Sequence, residues 1–213
     1  MPGTVPQPTP IIHMTHVGNL ERILAAGELR ATARLNASGT AFTNIAYSSI
    51  QAQRAGKVVP CGPGGSLHDY VLFYFTRRSP MLYTIHRGNV SCEGGQGALV
   101  HLVSNAQAVA ASGLGYAFSD GHGIMAYSSF YDDLGHLGEI DWDVIAASQW
   151  ADTVEDGDRK RRKQAEFLVR DRFPISLLQG AVVQTQARAD EVNSMLKRLG
   201  QPLRVVVRTG WYY

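Results

Sequence analysis

Cysteine is scarce in this chain: Cys61 and Cys92 are the only two among 213 residues. So few thiols exclude a disulfide scaffold and point to a reducing compartment. They lack the C-x-x-C spacing of a zinc site, so no metal is expected from them. Long apolar runs are missing too, since no stretch approaches the ~18 residues that a membrane span needs. Met1 to Pro10 carries four prolines but neither the cationic nor the apolar region of a signal peptide. These absences predict a soluble, cytoplasmic protein that does not engage a membrane. Several catalytic signatures are absent as well. There is no G-x-G-x-x-G after the first strand-like run, no G-x-S-x-G and no H-E-x-x-H. The Pro- and Gly-rich stretch Pro60 to Gly65 lacks the Gly-Lys-Ser/Thr ending of a phosphate-binding loop.

Charge is plentiful but unevenly spread. Tyr131 to Asp158 holds nine acidic residues and no Lys or Arg, although the net charge is only +2. The rest of the chain is therefore basic, which predicts a surface that faces a polyanion. The basic extreme is Arg159-Lys160-Arg161-Arg162-Lys163, five cations in a row. It runs directly into Gln164-Ala165-Glu166-Phe167-Leu168-Val169, a single carboxylate opening an apolar run. The run from Glu166 reads as a buried strand with the glutamate at its mouth. The five cations read either as a grip on a phosphate backbone or as a solvated loop.

A chain of this length buries a substantial core and is expected to form one domain, 1–213. Ile11 to His16 reads as a short strand, followed by a helix with Asn19 as N-cap, Leu20, Ile23 and Leu24 on one face, and Gly27 as the stop. Arg30 to Thr43 reads as a polar loop, and Ile45 to Arg54 as a short helix. Tyr70 to Phe75 is a clear strand, and Met81 to Ile85 reads as strand or short helix. Ala98 to Val103 is a strand, and Asn105 caps the Ala-rich helix after it. Asp141 to Gln149 reads as helical and Gly180 to Val183 as a strand. Val192, Met195, Leu196 and Leu199 mark an amphipathic helix ended by Gly200. Arg204 to Arg208 closes the chain as a strand, with Trp211-Tyr212-Tyr213 as a tail. Strands cluster without a steady βαβ alternation, so the expected class is α+β.

The chemically notable residues are dispersed: His13 and His16 at a strand-to-helix junction, Thr15, Arg54, Tyr74, His122 between two glycines, and Glu166. The two histidines could form a metal pair, though no further ligand cluster lies near them in sequence. An aromatic such as Tyr74 near a site can stack on a flat ring. A single glutamate beside basic and aromatic groups suits a reaction that develops positive charge on a sugar, because a fixed carboxylate stabilises an oxocarbenium-like centre.

Pro8 to His16 with Asn19-Leu20, Ile45-Ala46-Tyr47 through Arg54, Gly64-Gly65 through Tyr83, Asp120 through Gly123, Lys163 to Val169 and the terminal Trp211-Tyr212-Tyr213 together resemble the DarT toxins. The likeness runs nearly end to end. It implies an ADP-ribosyltransferase-like split β-sheet core with surrounding helices. It also implies transfer of ADP-ribose from NAD to a thymine in single-stranded DNA. NAD would be consumed as substrate, with no separate cofactor. Carried over by motif, Glu166 would be the catalytic glutamate. Arg54 would activate the base and hold NAD phosphate, and His122 would sit against the acceptor base. His13 and Thr15 would bind NAD, joined by Asn19, Leu20 and Tyr74. His122 would contact DNA. The run Arg159 to Lys163 is expected to contact DNA too, on the strength of its charge and not of the resemblance. A macrodomain antitoxin would reverse the mark, and the enzyme would act as a monomer. The alternatives are the same chemistry on guanine or RNA, and a non-catalytic module that binds single-stranded nucleic acid.

Overall fold

A computed structural model describes residues 3–213, so Met1 and Pro2 of the proline-rich lead-in and of the expected 1–213 domain lie outside the described residues. The chain opens with β1 (Pro10–His16), α1 (Val17–Ala26), β2 (Glu28–Arg30), α2 (Thr32–Ala37) and α3 (Ser48–Gly56). Next come β3 (Tyr70–Tyr74), α4 (Pro80–His86), β4 (Leu99–Asn105), α5 (Ala106–Ala111), β5 (Tyr116–Ser119) and β6 (Phe130–Tyr131). The last third holds α6 (Trp142–Ala146), α7 (Arg159–Arg162), β7 (Glu166–Arg170), β8 (Arg172–Pro174), β9 (Gly180–Val183), α8 (Gln186–Leu199) and β10 (Val205–Val207).

Eight strands form one sheet in the order β10-β9-β4-β1-β3-β7-β5-β6, and β2 pairs with β8 outside it. The β9–β10 pair is parallel and the other neighbours are antiparallel. The α+β expectation and its split sheet are met. The split has a definite place. β1 pairs with β4 along its whole length, from Pro10 opposite Asn105 to His16 opposite Leu99. Against β3 it makes the single pair Ile12–Tyr74. Beyond that point the two halves diverge, and the His13 side chain spans the gap to the Leu72 carbonyl at 2.7 Å.

The core packs against this sheet from both halves. Leu20 and Leu24 of α1 and Val192 and Leu196 of α8 are buried on one side. Phe75 meets Phe118, Phe167 and Trp142 edge-on, with ring centroids 5.5–6.2 Å apart. Each fully buried side chain of this size contributes about 1.5–3 kcal/mol. Helix α8 is closed at both ends by local chemistry. Thr185 Oγ1 accepts from the Arg188 amide, and Gly200 takes a φ of 63°, which a side chain would oppose.

Several expectations change. Met81 to Ile85 is helical, because Pro80 opens the helix and Ser79 Oγ accepts from the Leu82 amide. Arg30 to Thr43 holds β2's end and α2 and is not a simple loop. Asn19 does not cap α1; His16 does, its Nδ1 accepting from the Gly18 amide. The C-terminal aromatics are not a loose tail. Tyr212 is buried, and its hydroxyl lies 3.0 Å from the carbonyls of both Leu99 and Val182, tying β4 to β9. Strands β2, β5, β6 and β8 carry no sequence expectation, because two to four residues are too few for a periodic signal. Among the described residues, no helix is long and apolar enough to cross a membrane.

The basic run also departs from expectation. Lys163 is only 1% exposed, and its Nζ donates to the Ile145 and Ala147 carbonyls at 2.7 Å each. It satisfies the C-terminal end of α6 instead of facing phosphate, so a contact from Lys163 to DNA is ruled out by its burial. Replacing Lys163 with Met strips the Ala147 carbonyl of its side-chain donor and leaves the Ile145 carbonyl with only the Thr76 hydroxyl, at 3.2 Å, at a cost of about 1–3 kcal/mol. At roughly 2–4 °C per kcal/mol for a protein of this size, Tm should fall by about 5 °C. Calorimetry checks this, and an unchanged Tm would remove the structural role given to Lys163.

Candidate active site

Glu166 is the first residue of β7, opposite Tyr74 of β3 on one side and Ser119 of β5 on the other. That register puts a carboxylate at the inner end of the strand, where it is fully buried. Burial of a lone carboxylate is costly, and here it is relieved by Arg54. Arg54 lies in the last turn of α3, also buried, and its Nη1 donates to both Glu166 oxygens at 3.0 and 2.9 Å. Arg54 stands near the end of its helix, as expected, and is buried there.

A backbone donor completes the setting. The Gly123 amide reaches Glu166 Oε1 at 3.3 Å. The approach is close: a Cβ at Gly123 would stand 3.0 Å from Glu166 Oε2 and 3.2 Å from the Leu67 side chain, so a larger residue would have to push one of them aside. His122, one residue earlier, places Nε2 3.9 Å from Glu166 Oε1, close but beyond hydrogen-bonding distance. Burial depresses the His122 imidazole from its ordinary value of 6.5. Glu166 pulls the other way, while the Arg54 and Lys160 cations add to the depression. The ring is therefore neutral at pH 7.

The loop carrying His122 is clamped by Arg161. Its Nη1 donates to Asp120 Oδ1 at 2.7 Å and to Ser128 Oγ at 3.3 Å, while its carbonyl accepts from the His122 amide at 3.0 Å. Ser128 Oγ in turn donates to the His122 carbonyl at 2.8 Å. Lys57, just past α3, donates from Nζ to the Met125 carbonyl at 3.1 Å and ties the loop to the helix that bears Arg54. Gly123 and Lys57 carry no assigned role from sequence, and Arg161 was expected to contact DNA and not to clamp this loop. The short Gly-His-Gly motif was the available signal for the first of them.

A cavity of about 590 Å³ opens at the split, and His13, Thr15, Arg54, Tyr74 and His122 all line it. His13 is half-buried, and burial lowers its imidazole from the ordinary value. Its Nδ1 must carry the proton to donate to Leu72, which leaves Nε2 as an acceptor for a ligand. His16 uses both nitrogens, accepting from Gly18 and donating to the Glu93 carbonyl at 3.0 Å. With separate backbone partners, the two histidines do not form a metal pair. Thr15 Oγ1 accepts from Asn19 Nδ2 at 3.3 Å. Asn19 also donates to the Thr43 carbonyl and accepts from the Thr43 amide, at 2.9 and 2.8 Å, so it fastens the loop before α3 to α1. Tyr74 is buried, with its hydroxyl 3.6 Å from the Met81 sulfur. Burial first, and the Glu166 charge second, raise its phenol far above the ordinary value. Leu20 is a correction: it is wholly buried in the main core and does not line the cavity.

The cations before Glu166 divide. Arg161 pairs with Asp120 and Asp158, and Arg162 with Asp141 and Asp156. Arg159 lies 3.7 Å from Asp156 and donates to the Gln149 carbonyl. Lys160 is exposed on the cavity rim and, among the described residues, makes no ion pair. The expected polyanion-facing run is thus largely neutralised in space by the acidic segment that precedes it.

A carboxylate buried at the split of such a sheet, paired with an arginine that lines the cavity, fits an ADP-ribosyltransferase-class enzyme. Residues 12–213 match the family model described as "DarT: ssDNA thymidine ADP-ribosyltransferase, DarT", and the chain belongs to that family. It is 45% identical over 215 residues to a DNA ADP-ribosyl transferase of Thermus sp. (strain 2.9), covering 100% of both chains. Thermus sp. 2.9 DarT in complex with ADP-ribosylated ssDNA superposes with a TM-score of 0.93 at 45% identity, again over 100% of both chains. The same protein in complex with NAD+ gives 0.88 at 43% identity, over 99% of this chain and 100% of that one.

The buried pair is testable through stability. Arg54→Met leaves Glu166 buried without its cation and should cost about 3 kcal/mol, the low end for a broken buried pair, since cavity water relieves part of the charge. Adding Glu166→Gln removes the stranded charge and should restore part of that loss. Urea denaturation of both variants checks this; a double variant less stable than Arg54→Met alone would contradict it.

Proposed function

We propose that this protein transfers the ADP-ribosyl group of NAD to a thymine base in single-stranded DNA, releasing nicotinamide. The observation that carries the reading is the buried Glu166–Arg54 pair at the split, with His13 and His122 on the same cavity wall. The family description names single-stranded DNA and thymidine, and the relatives' complexes contain NAD+ and ADP-ribosylated ssDNA, which supports it.

In this reading the bond between the nicotinamide nitrogen and C1′ of the ribose breaks, and a new bond forms from thymine N3 to C1′. Glu166 sits beside the ribose and stabilises the positive charge that develops there. His13, through Nε2, and Thr15 hold NAD, Asn19 positions the loop over it, and Tyr74 packs against the nicotinamide. Arg54 is shared between the NAD phosphate and the thymine, whose N3 loses a proton. The neutral His122 accepts that proton, since an uncharged imidazole near Glu166 is able to take it. Lys160 contacts the DNA backbone. Arg159, Arg161 and Arg162 act mainly through the structure around them. A single-stranded acceptor avoids the cost of extruding a base from a duplex.

We further read the protein as the toxin of a pair, active as a single-domain monomer in the cytoplasm, with its mark removed by a macrodomain antitoxin. NAD is its substrate, and no additional cofactor enters this scheme.

Glu166→Gln is the decisive variant, because its amide oxygen still accepts from Arg54 and the fold is kept. It should lose transfer to a thymine-containing oligonucleotide by at least about 100-fold, a typical loss when one transition-state contact is removed. Mass analysis of oligonucleotides that each lack one base reads both activity and acceptor. A shift confined to guanine, or to RNA, would overturn the thymine assignment. Binding of single strands by the wild type with no mass shift on any of them would favour the non-catalytic module.

The pH profile offers a separate check. Transfer needs neutral His122, so activity persists at neutral pH and falls as pH drops through the depressed His122 value. The acid limb should therefore lie below the ordinary 6.5 and disappear in His122→Gln. A limb above that value would exclude His122 as the proton acceptor.

A further inference from the structure

Tyr127 has no part in the chemistry above, yet its setting is unusual. It lies on the cavity rim, on the same loop as His122, and is 62% exposed. A large aromatic ring in water needs a reason, and packing does not supply one. Among the described residues its hydroxyl makes no hydrogen bond. This sets it apart from Tyr47, the other exposed tyrosine lining the cavity, whose hydroxyl donates to the Asn89 carbonyl at 3.0 Å.

What holds the Tyr127 ring is Arg161, whose guanidinium carbon lies 5.3 Å from the ring centroid. That guanidinium is itself fixed by Asp120, Asp158 and Ser128. The ring therefore rests on a rigid cationic plane, and its exposure belongs to the opposite face and edge. The loop is also compact. The Met125 amide donates to the His122 carbonyl at 3.0 Å and the Ser128 amide to the Met125 carbonyl at 3.3 Å. Tyr127 is thus held on the His122 loop over Arg161, and Lys160, the chain neighbour of Arg161, lines the same cavity and is exposed. A fixed, open aromatic face on a cavity that also carries an exposed cation without an ion pair among the described residues fits a nucleotide whose base stacks on the ring and whose backbone is drawn to the ammonium.

We infer that Tyr127, backed by Arg161, is a base-stacking subsite for the nucleotide adjacent to the modified base. The inference rests on the proposed transfer to single-stranded DNA and adds to it a determinant of substrate affinity outside the reacting groups. Stacking of one base is worth about 1–3 kcal/mol by alanine substitution, or roughly 5- to 150-fold in affinity. A ring that served only to cover Arg161 would have no effect on oligonucleotide binding.

Steady-state transfer to single-stranded oligonucleotides tests this with Tyr127→Phe, Tyr127→Leu and Tyr127→Ala. The Ala and Leu variants should raise the oligonucleotide KM by tenfold or more while kcat stays within about threefold. Phe keeps the stacking face and should stay near wild type. An abasic position next to the modified base should reproduce the loss in the wild type and add little in Tyr127→Ala. Unchanged KM in Ala, full function in Leu, a Phe variant as weak as Ala, or fully additive abasic losses would each overturn the subsite. Those results leave transfer itself intact; a wild type that modifies no single strand overturns the proposed function instead.

Discussion

The buried pair of Arg54 and Glu166 is the constraint on which the rest of this site depends. Neither charge is tolerable alone in that position: Glu166 is fully buried and Arg54 nearly so. Paired, they are affordable, and they join two elements 112 positions apart in sequence. Helix α3 must therefore lie where its last turn meets the mouth of β7. The Gly123 amide adds a donor that needs no side chain and brings the His122 loop to the same carboxylate. One arginine nitrogen serves both carboxylate oxygens, so any further donor to Glu166 meets a carboxylate that is already partnered.

The split in the sheet answers a second need. A continuous ladder between β1 and β3 would pair their backbones and close the space between them. Instead one residue pair joins them, and His13 bridges the rest through Leu72. That bridge consumes the His13 Nδ1 proton and fixes the tautomer, so the same contact that holds the two halves together leaves Nε2 as an acceptor on a residue that lines the cavity. Asn19 works similarly at the neighbouring position. By holding the Thr43 backbone at both its amide and its carbonyl, it turns a segment with few apolar residues into a defined wall.

How much of this was legible in sequence depends on how local each cause is. Glu166 was readable because an apolar run follows it, and a carboxylate at the start of a buried strand is unusual. Gly200 and Asn105 were readable because their roles end within one helical turn. Arg54 was readable as a position through the family resemblance, but its burial was not, since the partner lies in a distant strand. Leu20 sits beside Asn19 in sequence and one step around the helix, which is enough to turn it into the core and away from the cavity. Tyr212 looked like part of a tail because its acceptors, Leu99 and Val182, belong to strands far from it in the chain.

The basic run is the most instructive case, because the error lay in treating charge along the chain as charge in space. The acidic stretch from Tyr131 to Asp158 and the cations after it looked like opposed regions. Folded, Asp141, Asp156 and Asp158 take up Arg161 and Arg162, and Asp120 joins them from the His122 loop. Isolated surface pairs contribute little stability, but this partly buried network, with one guanidinium shared among several acceptors, fixes geometry. Helix α7 directly precedes β7, so whatever orients α7 also orients Glu166 at the strand's mouth. The cations therefore act chiefly on the enzyme itself. Arg161 holds the loop that carries His122, Lys163 closes α6, and Lys160 is left on the rim with its charge free. A run that looked like a handle for DNA is mostly the frame that aims the carboxylate and the histidine.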